Sequence, residues 1–174
     1  MLPRHWPIRD RGSPFAGLTE RELRRGSDRL QDYLDPWGDL TSRDVGASGP
    51  RRLLEFAVDA PGQELNVGVE LVYREYYSRG ARGRWDIAKY TYEYLDVRRR
   101  HRLAYHLHDV HGRPMVPHAH CGPNHDPAEE EGRGHLRATL YDLREVHEIF
   151  MRFYASDLSP DCSTFLPLVV DRSS

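Results

Sequence analysis

The stretch 85–110, WDIAKYTYEYLDVRRRHRLAYHLHDV, decides the fold class of this 174-residue chain. Apolar and polar residues alternate on both sides of the arginine run, and alternation with period two predicts β-strands that have one covered face. We therefore expect one strand over 85–97 and the next over 101–110. In the second strand, His106 and His108 lie on the face opposite the apolar residues.

The alternation continues on both sides of this stretch. Upstream it predicts strands over 52–58 and 65–73, separated by a Pro-Gly turn at 61–62. Downstream, a turn over 111–114 leads to a short strand over 115–121. Consecutive strands joined by short turns favour an antiparallel meander.

Helical spacing replaces the alternation near both ends of the chain. Thr19 and Glu22 form a capping box for an N-terminal helix, which must end before Pro36. Apolar residues recur at helical spacing over 142–155 and predict a helix that packs on the apolar face of the sheet. The predicted class is therefore α+β: an antiparallel β-sheet meander with a C-terminal helix packed on one face and an N-terminal helical appendage.

Composition predicts two units in the chain. Residues 1–50 are expected to be an N-terminal helical segment and linker, because 36–50 is rich in Gly, Pro, Ser and Asp. Residues 51–174 are expected to be the α+β domain that carries the histidine-rich site. Near its end, the apolar run 165–170 predicts a last strand, which Pro167 confines to an edge.

The overall composition is that of a soluble globular protein. The formal charge is −2 and 39% of the residues are hydrophobic, with no apolar run of membrane length. Cys121 and Cys162 are too few for a disulfide framework. We therefore expect a reducing, cytoplasmic location and no membrane partner.

Histidines mark the candidate site. Seven of the ten histidines lie between His106 and His135, and two His-x-His pairs stand out, His106 with His108 and His118 with His120. If the two strands pair as a hairpin, four imidazoles converge on one face. Imidazole moves protons near neutral pH and binds transition metals, so the four are candidate catalytic residues. Ordinary solvated histidines are an equal alternative.

One spacing around the second pair resembles the first cupin motif. Gly112, His118, His120, His125 and Gly132 stand at its intervals, with His125 where that family has a glutamate. The match covers 21 residues, and the second cupin motif is not visible downstream. The resemblance implies a divalent transition metal bound by His118, His120 and His125.

A second resemblance covers residues from about 65 to 155. Four segments resemble the TumE-like family of small toxins from bacterial toxin–antitoxin modules: a Tyr-rich strand, a His/Asp-rich strand, a Pro-His element and a helix, at 90–94, 104–109, 117–120 and 142–154. The Pro-His-Ala-His spacing is one residue shorter than in that family, and residues 1–50 have no counterpart. The resemblance implies toxin activity on RNA and an antitoxin protein as partner.

Aromatic and basic residues give an independent argument for RNA. Tyrosines on one strand face beside an arginine cluster form a stacking platform for single-stranded nucleic acid, although tyrosine also has high strand propensity. The predicted contacts are Tyr90, Tyr92, Tyr94, Arg98, Arg100 and Arg102. In RNA cleavage, one imidazole would deprotonate the ribose 2′-hydroxyl and a second would protonate the leaving oxygen.

Three functions follow from these patterns. The first is a toxin-like small intracellular protein that acts on RNA, as a histidine-dependent ribonuclease, through its histidine-rich sheet face. The second is a metal-dependent, cupin-like enzyme or a metal-binding protein. The third is a non-catalytic partner-binding domain.

Overall fold

A computed structural model describes residues 17–61, 68–80, 82–110, 113–123, 136–138, 140–155 and 161–169. One antiparallel sheet contains seven strands in chain order: β1 (Asp39–Val45), β2 (Arg51–Ala60), β3 (Val69–Arg79), β4 (Trp85–Asp96), β5 (His101–Val110), β6 (Arg113–Pro123) and β7 (Leu136–Arg137). Within the described ranges, three α-helices accompany it: α1 (Glu20–Leu34), α2 (Leu143–Ala155) and α3 (Cys162–Val169); a short 3-10 helix, Asp35–Trp37, follows α1. The predicted α+β meander is confirmed.

The register of the strands gives the sheet two chemically different faces. Tyr73, Tyr92, Tyr105 and Ala119 are successive cross-strand partners, and all are buried. We call their side the helix-covered face. The residues that alternate with them form the other side, the histidine face, which includes Glu93, Arg102, His106, His118 and His120.

The apolar core lies between the helix-covered face and the helices. Phe150 of α2 is fully buried, with its ring centroid 6.4 Å from that of Tyr73 and 5.8 Å from that of Tyr94. Phe165 of α3 belongs to the same cluster, and its ring centroid is 6.2 Å from that of Phe150. Burial of aromatic rings at such distances provides hydrophobic and ring–ring stabilisation. Among the described residues, no helix packs in this way on the histidine face.

The N-terminal segment joins this core. Helix α1 begins at the predicted capping box of Thr19 and Glu22 and buries Leu23, Leu30 and Leu34. The prediction of a linker over 36–50 is wrong, because β1 pairs with β2 at the edge of the sheet. Most side chains of β1 are exposed, so the strand lacks the apolar alternation by which strands are recognised.

The C-terminal segment also differs from the prediction. The expected strand over 165–170 is wrong for the described part, which belongs to helix α3. The Asp161 carboxylate caps this helix by accepting a hydrogen bond from the Thr164 N–H at 2.9 Å. The expectation of reduced cysteines is wrong for this structure, because a disulfide between Cys121 and Cys162 ties α3 to β6, with the Cα atoms 5.4 Å apart. No helix in the described ranges is long and apolar enough to cross a membrane.

A buried histidine under α2 makes stability depend on pH. His147 is fully buried, and its Nδ1 is hydrogen-bonded to the Tyr73 hydroxyl at 2.6 Å. Burial lowers the pKa of His147 to about 4. Because an unfolded histidine titrates near 6.5, the unfolded chain binds this proton first, and stability is lost as the pH falls from about 6.5 to about 4.

We expect His147 to account for about 3 kcal/mol of the loss in unfolding free energy between pH 7 and pH 4. Urea unfolding of the native chain and of His147→Gln at both pH values measures this contribution. The variant should show the smaller pH dependence. The same dependence in both proteins would contradict the assignment.

Candidate functional site

The β5–β6 hairpin brings the two histidine pairs together on one face. His106 is the direct cross-strand partner of His118, and His120 stands opposite Ala104. The ring centroids of His106 and His118 are 5.6 Å apart, and His120 lies 5.0 Å from each of them. The predicted convergence of the four imidazoles is confirmed. Its role in catalysis or metal binding stays a prediction.

Three of the four histidines form a compact group, which we call the imidazole triad: His106, His108 and His118. One ligand nitrogen of each ring lies within 4.8 Å of the other two. His118 is fully buried and His106 is 5% exposed, whereas His108 is half-buried. The triad therefore has a closed side inside the protein and a side that solvent reaches.

Hydrogen bonding fixes the tautomer of His118. Its Nδ1 lies 2.9 Å from the carbonyl oxygen of Val116. A carbonyl can only accept, so Nδ1 carries the hydrogen and Nε2 is the unprotonated nitrogen of the neutral ring, the form in which imidazole binds a metal. A histidine that binds a metal is commonly oriented by such a bond from its second nitrogen.

His106 is held in its neutral form. Burial lowers the pKa of His106, and the nearby carboxylate of Glu93 offsets only part of that effect. The buried Nε2 of His106 faces Glu93 Oε1 at 3.6 Å, slightly beyond hydrogen-bond distance. The carboxylate therefore lies beside one nitrogen of the ring and leaves Nδ1 as the other candidate ligand atom.

Glu93 also belongs to this site, although it was not among the residues predicted from the sequence. Burial opposes its ionisation, but His106 and Arg102 outweigh burial and lower the pKa of Glu93 to about 2. Arg102 Nη2 also donates a hydrogen bond to Glu93 Oε1. The signal was present in the alternation of β4, since Glu93 follows Tyr92 and must point to the opposite face.

The predicted tyrosine platform is wrong. Tyr90, Tyr92 and Tyr94 are at most 2% exposed and lie on the helix-covered face. The rings of Tyr90 and Tyr92 stack on each other, with centroids 4.4 Å apart, and Tyr90 also stacks with Tyr105. A nucleic-acid base cannot reach these rings without removal of the helices.

The three arginines predicted to contact RNA lie in two different places in the structure. Arg98 and Arg100 are exposed in the turn between β4 and β5. Arg100 is six residues from His106, which corresponds to about 20 Å along a strand. Arg102 alone of the three shares the histidine face, where it is 7% exposed and bonded to Glu93. The site thus brings one of the predicted arginines to the imidazoles.

The structure describes only two of the three residues in the cupin-like ligand set. His118 and His120 lie on the histidine face, whereas His125 lies outside the described residues. No protein-family model, curated protein or solved structure matches the chain.

Proposed function

We propose that the chain is a metal-dependent protein in which His106, His108 and His118 bind a divalent transition-metal ion, with zinc as the preferred ion. The main support for this proposal is that one ligand nitrogen of each of the three histidines lies within 4.8 Å of the other two. Zinc–nitrogen bonds of about 2.0–2.1 Å in a tetrahedral site place two imidazole nitrogens about 3.3 Å apart. The nitrogens are at most 4.8 Å apart, so each pair would have to approach by no more than about 1.5 Å to reach that spacing.

The protonation states support the same assignment. A metal binds neutral imidazole, and burial favours neutral His106. The Val116 carbonyl leaves Nε2 of His118 with the lone pair. Glu93 supplies an ionised carboxylate 3.6 Å from His106. With Nε2 of His106 facing the carboxylate, Nδ1 would bind the ion, and a carboxylate at the second nitrogen increases the basicity of the ligand and fixes its orientation.

The number of ligands that the described residues supply points to a hydrolytic reaction. A zinc ion held by three histidines would keep a fourth position for water and would lower the pKa of that water to about 7. The half-buried His108 lies on the side of the triad open to solvent, through which a substrate would enter. His120, half-buried and next to the triad, is placed to exchange a proton with that substrate.

Metal binding tests the proposal directly. After equilibrium dialysis against zinc, the oxidised chain should retain one zinc ion, and its melting temperature should rise. At a free zinc concentration 100 times the Kd, the added stability is about 2.7 kcal/mol. A chelator should reverse the shift. A chain that retains no zinc and melts at the same temperature with and without it would refute the proposal.

Glu93 should act as a positioning residue. We expect Glu93→Gln to weaken zinc binding by about 10-fold, because a neutral amide supports His106 less well than a carboxylate. Glu70→Gln is the matched control: Glu70 is an exposed residue of β3 on the same face of the sheet, and the register places it opposite Leu95 rather than beside the triad. Competition with a chromophoric chelator measures both affinities. If both variants lost the same amount of zinc affinity, Glu93 would have no specific role in positioning His106.

Cleavage of RNA is the second candidate, with the antitoxin partner that the TumE-like resemblance implies. Its support is the position of Arg102 on the face that also carries neutral His106. Arginine would stabilise charge on the phosphate while two imidazoles exchange protons. Ribonuclease activity that survives a chelator but is lost in His118→Gln would favour this function over the metal-dependent one.

A further inference from the structure

A second cluster of ligating atoms lies away from the triad, at the other end of the β5–β6 hairpin. It consists of His101 on β5, Cys121 on β6 and Cys162 at the start of α3, and their ligand atoms lie within 4.8 Å of one another. His101 Nε2 is 3.4 Å from Cys121 Sγ. Five residues separate His101 from His106, about 17 Å along the strand, so the two clusters are distinct.

We propose that reduction of the Cys121–Cys162 disulfide turns this cluster into a second zinc site, formed by the two thiolates and the imidazole of His101. A dithiol reductant supplies two electrons and two protons. The S–S bond breaks to give two thiols, while the reductant becomes a disulfide. Zinc then displaces one proton from each thiol, and both protons pass to solvent.

The positions of the three residues suit a tetrahedral ion. With zinc–sulfur bonds of about 2.3 Å and zinc–nitrogen bonds of about 2.0–2.1 Å, a sulfur and a nitrogen ligand are about 3.6 Å apart. His101 Nε2 and Cys121 Sγ are already separated by 3.4 Å. Two sulfur ligands must lie about 3.8 Å apart. Once the S–S bond is broken, side-chain rotation provides this distance, because the two Cα atoms are only 5.4 Å apart.

The environment allows both reduction and metal exchange. All three residues are half-buried, so a small reductant and an ion can reach them. Two thiolates and one imidazole form a soft ligand set that selects zinc over magnesium or calcium. The disulfide joins residues 41 positions apart, α3 to β6. A zinc ion in its place would keep this connection under reducing conditions.

Cobalt(II), a spectroscopic substitute for zinc, tests the site. The chain is reduced with a phosphine, exchanged into oxygen-free buffer and titrated with cobalt, then with zinc. We expect a thiolate-to-cobalt charge-transfer band in the reduced chain and none in the oxidised chain. Zinc bound per chain should rise by one on reduction. Absence of the band, or equal zinc in both forms, would overturn the proposal.

Variants separate this site from the triad. Cys162→Ser should abolish the second zinc, and His101→Gln should weaken it by about 10-fold, while His118→Gln should keep the thiolate band. The band in His118→Gln is therefore independent of whether the triad binds metal. An undiminished second zinc in His101→Gln would overturn the assignment of the imidazole.

Thermal melting covers the case in which reduction alone unfolds the chain. If the reduced chain loses its cooperative melting transition, zinc should restore that transition in the native sequence but not in His101→Gln. Zinc that binds the reduced chain without restoring the fold would contradict a site made by α3, β5 and β6.

Discussion

Zinc affinity of the oxidised chain should fall by more than about 100-fold when His118 is replaced by glutamine. Changing a residue that only supports a ligand typically costs 10- to 100-fold in affinity, and loss of a ligand should cost more. His118 is the most buried member of the triad and the one whose tautomer is fixed by a backbone carbonyl. Isothermal titration of the oxidised chain, in which the cysteines are bonded to each other, isolates this site.

His120→Gln is the matched control for this experiment. His120 lies on the same strand and face as His118, 5.0 Å away between ring centroids, but outside the triad. We expect it to change zinc affinity by less than about 10-fold. Since His118 is fully buried, its replacement also affects the apo fold, so His108→Gln, at a half-buried position, provides a second test. Equal losses in His118→Gln and His120→Gln would favour the cupin-like ligand set instead.

Replacing Phe150 with alanine should lower the free energy of unfolding by about 4 kcal/mol. The side chain is fully buried between the sheet and α3, and its ring lies near those of Tyr73, Tyr94 and Phe165. Removal of a large aromatic side chain from such a position removes transfer energy and leaves a cavity. Urea unfolding monitored by circular dichroism measures the loss.

Glu148→Ala provides the control on the same helix. Glu148 is exposed, and its replacement should change stability by less than about 0.5 kcal/mol. A small effect of Phe150→Ala, similar to that of Glu148→Ala, would mean that α2 does not close the helix-covered face. The tyrosines of β4 would then be available to ligands after all.

The convergence of the histidines could be predicted because it depends on local rules. Alternation fixes which side chains share a face of β5, and the short turn after β5 fixes its pairing with β6. The same rules could also have predicted that Tyr90, Tyr92 and Tyr94 are buried, although the platform prediction did not use them. The turn after Asp96 pairs Tyr92 with Tyr105, and Tyr105 shares its face with apolar residues.

Features that depend on tertiary contacts could not be predicted in this way. Strand β1 has few apolar residues because it lies at an exposed edge, so its sequence pattern predicts a loop. Helix α3 is a short apolar run that periodicity cannot distinguish from a strand, and only the cap at Asp161 indicates a helix. The bond between Cys121 and Cys162 depends on where α3 docks, which no local pattern specifies.

X-ray absorption at the zinc edge of the oxidised, zinc-loaded chain identifies the ligands of the proposed metal centre. We expect one zinc ion per chain with three imidazole nitrogens at about 2.0–2.1 Å and a further light-atom ligand from water. The same spectrum of His118→Gln should lose the three-imidazole pattern. A native spectrum with only oxygen ligands, or with no zinc retained after dialysis, would contradict the proposed metal centre.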